Sequence, residues 1–133
     1  MIVIDTSVFV AIFKTEPIAP SLRLRLGKAA AAIVPATCLV EIALLRRMDE
    51  RLLDWARDLV SQPPFQIVEL STPEAEIAAD AARRFGKGSG HPAQLNFGDC
   101  LVYAAAKFRN VPLLIAGNDF IKTDIAIAAT EDN

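Results

Sequence analysis

Four acidic side chains could do chemistry together: Asp5, Glu41, Asp99 and Asp119. Glu41 is the clearest case. From Cys38 to Leu45 every other residue is apolar, so a helix here has no polar face on which a glutamate can rest. A lone buried carboxylate costs several kcal/mol unless it is protonated, paired or bound to a cation. Asp5 follows the apolar run "MIVI" directly, and in an open parallel sheet ligands bind at the carboxyl ends of strands. Its structural alternative is an N-cap for the next helix, a role Thr6 and Ser7 fill equally well. Asp119 follows a strand-like run in "LLIAGNDF", where turn chemistry alone also accounts for Gly-Asn-Asp. Asp99 lies at the join of a loop and a helix in "LNFGDCLVYAAAK", where a first-turn carboxylate gains from free N–H groups. If the sheet is parallel, Asp5 and Asp119 share one end of it, and the helices carrying Glu41 and Asp99 start at that end. Four such acids repel until a cation enters. Oxygen ligands of this kind suit Mg²⁺ or Mn²⁺, and the chemistry implied is metal-assisted cleavage of a phosphodiester.

The elements that must position these acids are readable from the apolar pattern. Short runs at 1–4 ("MIVI"), 32–35 ("AIVP"), 65–70 ("FQIVEL") and 112–116 ("PLLIA") alternate with helical segments, which predicts an α/β fold with a parallel sheet. Thr72 and Pro73 read as N-cap and first helical residue of "PEAEIAADAARRF", closed by Gly86. A further helix is expected over "ATCLVEIALLRRM". In the helix after Asp99, Leu101, Ala104, Ala105 and Phe108 fall at i, i+3, i+4 and i+7 and predict a buried face. The one long irregular stretch is 86–98, "GKGSGHPAQLNFG", and a loop of that length is often functional.

The chain of 133 residues is expected to form one domain, 1–133, with a core large enough to fold without a staple. Its 53% hydrophobic content is high for that size and points to a buried sheet, an oligomer or a tight partner. No apolar run reaches the roughly 18 residues of a membrane span, and Asp5 interrupts any signal-peptide pattern, so a cytoplasmic protein is expected. Cys38 and Cys100 lack metal-like spacing and read as small buried hydrophobes. A net charge of −2 excludes a global basic field for nucleic acid, so any polyanion must be held by local patches.

With "MIVIDTSVFVAIF", "ATCLVEIALL", "RRFGKGSGHPAQLNFGDCLVYAAAK" and "PLLIAGNDFIKTDI" in place, the chain resembles the PIN-domain ribonucleases, and more narrowly the VapC-type toxins of toxin–antitoxin pairs. The resemblance covers nearly the whole chain. It implies a three-layer fold with a central parallel sheet flanked by helices, and metal-binding acids at Asp5, Glu41 and Asp99. Asp119 would be a fourth, and Ser7 a hydroxyl orienting the first. Where many PIN domains carry an acid and a threonine before the last aspartate, this chain has Gly117 and Ile115. The resemblance further implies Mg²⁺ or Mn²⁺ as cofactor, a homodimer, and RNA cut to 5′-phosphate and 3′-hydroxyl ends. It also implies inhibition by a cognate VapB-type antitoxin.

RNA is expected to meet basic side chains around the acids, with Lys14, Arg46, Lys87, His91 and Lys122 as candidates. His91 reads as a loop residue rather than a general base. Two other classes compete with this reading. A receiver-type signalling module needs an acidic pair after the first strand and a phosphoacceptor after the third, and the chain offers neither. A catalytically inactive PIN fold acting as an RNA- or protein-binding module is the nearer alternative, and the presence of all four acids argues against it.

Overall fold

The computed structural model describes residues 1–130, the side chain of Arg46 excepted. Four strands form one parallel sheet: β1 (Ile2–Ile4), β2 (Ala32–Pro35), β3 (Phe65–Val68) and β4 (Leu113–Leu114). Their order across the sheet is β3-β2-β1-β4. The chain therefore runs outward from β1 to β3, then returns to place β4 on the other side of β1. The register sets Val3 between Ile33 and Leu113. A reversal of strand order opens a crevice at the carboxyl ends of the strands flanking it, here β1 and β4. Asp5 and Asp119 leave from those two ends, and the Asp5 N–H donates to the Leu114 carbonyl at 3.0 Å.

The helices are α1 (Thr6–Phe13), α2 (Ala19–Gly27), α3 (Thr37–Leu44), α4 (Leu52–Val60), α5 (Thr72–Phe85) and α6 (Phe97–Arg109), with a 3-10 turn at Leu45–Arg47. The central strand β1 is fully buried, and β2 and β4 lie with it in one hydrophobic core. Such strands read as continuous apolar runs because helices cover both faces. α6 packs on β1 and β2, and α5 packs along α6. The four strands and their parallel pairing agree with the sequence reading, with β1, β3 and β4 shorter than expected; the order across the sheet comes from the structure.

Three local expectations are corrected. The N-cap of α5 is Ser71, not Thr72, because the Ser71 hydroxyl accepts from the Glu74 N–H while the Glu74 carboxylate takes the Ser71 N–H. That reciprocal pair satisfies two helix-end donors, which a Thr72 cap followed by Pro73 does not. Phe108 is 48% exposed and leaves the predicted buried face, since α6 buries an almost unbroken run from Cys100 to Ala106 and its last turn projects beyond the core. The stretch 86–98 is less irregular than its composition implies. A bridge between Gly86 and Leu95 closes the loop, and α6 already begins at Phe97.

Candidate active site

Asp5 ends β1 and caps α1: its carboxylate accepts from the Ser7 N–H at 3.1 Å. Asp99 likewise belongs to a helix start. Asn96 caps α6, accepting from the Asp99 N–H at 2.8 Å, while the Asp99 carboxylate takes the Asn96 N–H at 3.0 Å. Both capping alternatives are thus realised, and neither exhausts the residue. A cap draws a carboxyl pKa down, yet both of these are raised, Asp99 to about 6. Burial is the main cause for each, and Asp119 adds repulsion to both. Asp5 is only 7% exposed.

Glu41 projects from the second turn of α3, where it takes no Arg or Lys partner among the described residues. Thr6 donates its hydroxyl to Oε1 at 3.1 Å. The Glu41 pKa is also raised, by burial first and then by the charges of Asp5 and Asp99. Its carboxylate rests against the backbone of α6 at Gly98, in space that any Cβ there would fill. Ser7 accepts from the Ala116 N–H at 3.0 Å and hydrogen-bonds Asp5, so it joins the acid after β1 to the chain leaving β4. Asp119 is exposed on that chain.

The structure therefore gathers Asp5, Glu41, Asp99 and Asp119 at one edge, each within electrostatic reach of at least one other. Lys87 is the basic residue whose charge reaches Asp99. Lys14 caps the C-terminus of α1, about 13 Å of helix from Asp5, and is removed from the acids. His91 packs its ring against Phe85 at 4.9 Å and accepts the Ala93 N–H on Nδ1, a loop role. Lys122 is exposed on the chain that carries Asp119, and the side chain of Arg46 lies outside what the structure describes. Two partners escaped the sequence reading. Thr6 looked like one of three interchangeable caps, and the signal for Gly98 was a glycine in a helix first turn.

The donor set is all oxygen, with carboxylates beside the hydroxyls of Thr6 and Ser7, and it fits a hard divalent cation. Among the described residues no three Asp, Glu, His or Cys side chains already form a ready ligand group. Asp5, Glu41 and Asp99 are the residues that would hold the cation, with Asp119 at the rim.

Two predictions follow from this geometry. Groups whose folded pKa is raised add stability below their unfolded pKa and lose it as pH rises through the folded value. Asp99, raised to about 6, should cost the metal-free protein on the order of 1 kcal/mol between about pH 5 and pH 7 after a discount for solvent screening, and Asp5 and Glu41, also raised, act in the same direction. Glu74 and Asp124 are lowered instead, and their contribution is lost below about pH 4, outside that window. Thermal melts at the two pH values check this, and Mg²⁺ should restore the loss at the higher one. Gly98→Ala is expected to cut activity by roughly 10-fold to 100-fold, as when a partner of a metal site is displaced. The new methyl meets the flexible end of Glu41, so the carboxylate moves and the fold is spared. An activity assay beside a melting curve separates the two effects.

The fold and site define a class: a parallel-sheet α/β domain with an acid cluster at the carboxyl edge of its strands. A model of the PIN-domain family matches residues 2–126. A VapC ribonuclease of Mycobacterium bovis is 38% identical, over 96% of this chain and 99% of its own length. One of Rhizobium meliloti is 39% identical over 92% and 97%. The chain belongs to the PIN-domain family and, within it, to the VapC ribonucleases. Among solved structures, Mycobacterium tuberculosis VapC20, described as a Sarcin-Ricin loop cleaving toxin, superposes with a TM-score of 0.77 at 17% identity. The match spans 96% of this chain and 98% of that one, and it shows the shared fold.

Proposed function

We propose that the chain is an endoribonuclease toxin, dependent on Mg²⁺ or Mn²⁺, that hydrolyses RNA phosphodiester bonds and is neutralised by a cognate VapB-type antitoxin. The observation that carries this reading is the meeting of Asp5, Glu41, Asp99 and Asp119 at one sheet edge, with no Lys or Arg side chain hydrogen-bonded to the first three among the described residues. The relatives named VapC ribonuclease support the activity, and the antitoxin is supported by likeness to a toxin–antitoxin complex from Klebsiella pneumoniae and to VapBC2 of Rickettsia felis.

When bound, the metal supplies an acidified water and charge stabilisation at the phosphorus. The chain's own residues hold the carboxylates apart and oriented: Ser7 sets Asp5, and Thr6 sets Glu41. Lys87, beside Asp99, is placed to meet a phosphate of the RNA backbone. Products carry 5′-phosphate and 3′-hydroxyl ends. Apolar side chains left on the surface, among them Val40 and Leu44 one turn apart on α3 and Phe97 at the start of α6, give the chain surface for the antitoxin and for a second copy in a homodimer. Its RNA substrate places it in the cytoplasm, and no helix among the described residues is long and apolar enough to cross a membrane.

The test uses purified protein, single-stranded RNA and Mg²⁺. Internal cleavage that stops on adding the antitoxin is expected. RNA bound but left intact would make the chain a binding module.

A further inference from the structure

Tyr103 carries the one hydroxyl in an apolar stretch of α6, and it is 2% exposed. A buried phenol needs a partner, and this one donates to Asp124 Oδ1 at 2.5 Å. Burial first, and then this bond, raise its pKa, so it stays a donor. Lys107, one turn further along α6, donates to the other oxygen of Asp124 at 3.1 Å, and Arg84 of α5 lies 3.7 Å from that same oxygen. Asp124 ends the segment 117–124, which carries Asp119. Inside that segment Phe120 is fully buried, and Thr123 donates its hydroxyl to the Phe120 carbonyl at 2.7 Å. Asp119 thus lies between two fixed points, Ala116 held by Ser7 and Phe120 in the core, with Asp124 anchoring the segment beyond. The position of Asp119 is therefore set by its segment. The helix that grips Asp124 is the helix that carries Asp99 one turn before Tyr103.

We infer that Tyr103 is a positioning residue of the acid cluster: by holding Asp124 it fixes the segment that sets Asp119 against Asp5 and Asp99. One rigid helix then supplies an acid from its first turn and the clamp for a second acid from its next turns. This rests on the reading of Asp119 as part of the metal site.

Tyr103→Phe removes only the hydroxyl and keeps the ring beside Phe85. Mn²⁺ binding measured by titration calorimetry should weaken by about 10-fold, in the range for residues that orient ligands, and the Mn²⁺ concentration for half-maximal RNA cleavage should rise by the same factor. Asp119→Asn should weaken binding by about 10-fold to 100-fold. In the Asp119→Asn background, Tyr103→Phe should cost nothing further, because the acid it positions is gone. Asp124→Ala gives a second route to the same result should Tyr103→Phe fold poorly. If Asp119→Asn weakens Mn²⁺ binding while Tyr103→Phe and Asp124→Ala do not, the positioning role is overturned alone. An undiminished Tyr103→Phe loss in the Asp119→Asn background overturns it as well. No change in Mn²⁺ affinity for Asp119→Asn removes Asp119 from the site, and the inference with it.

Discussion

Asp5→Asn should lower RNA cleavage by on the order of 1,000-fold, beyond the 10-fold to 100-fold typical of partners that act through a ligand. The substitution separates the two roles the structure gives this residue. Asparagine caps a helix as well as aspartate does, so the bond from the Ser7 N–H to the side chain of residue 5 survives. What disappears is the negative charge. The buried site also loses an ion that burial already disfavours, so the melting temperature at neutral pH should hold or rise. Glu41→Gln should behave alike, since the amide oxygen still accepts from Thr6, and Asp99→Asn keeps an acceptor for the Asn96 N–H. A gel assay of RNA cleavage beside a thermal melt reads both quantities. Near-normal turnover in any one variant removes that residue from the site, and lost activity with a lowered melting point marks a structural role.

Removing divalent metal with EDTA should take cleavage to background, and adding Mg²⁺ or Mn²⁺ should restore it. The other candidate nucleophiles and bases among the described residues are buried or already occupied. Cys38 is buried and its thiol is pushed up to about 12, chiefly by that burial, so it has no thiolate at neutral pH. Cys100 is buried and raised as well. The Ser7 hydroxyl is occupied by the Ala116 N–H and Asp5, and no histidine stands next to it to take its proton. His91 already spends Nδ1 on the loop. Among the described residues none of these four side chains is set up as the nucleophile of a metal-independent route. Full activity in chelator would sink the metal-dependent reading.

Much of this was legible in the chain. β1, β2 and β4 could be placed because buried parallel strands are continuous apolar runs, β3 because its run is rich in strand-forming residues, and Glu41 could be singled out because its neighbours are all apolar. Asp5 and Asp119 were assigned to one sheet edge by the handedness of parallel connections, a rule that needs no coordinates. Less legible were features resting on one specific contact. Ser71 and Thr72 are equally good caps by type, and only the reach of Glu74 decides between them. The periodicity that buries Leu101 extends on paper to Phe108, but periodicity does not show where the core stops.

The sequence by itself determined the element order, the parallel sheet and the absence of a polar face around Glu41, because these follow from local spacing and general rules of chain connection. Tertiary structure alone decided that a Cβ at residue 98 would occupy the place of the Glu41 carboxylate, that the Thr6 hydroxyl meets Glu41, and that Tyr103 grips Asp124. Each of these joins residues 21 to 57 positions apart. Their meeting depends on how α3 and α6 lie on the sheet, and the packing that sets this is a property of the whole core, shared among many small contacts that no short stretch of sequence encodes.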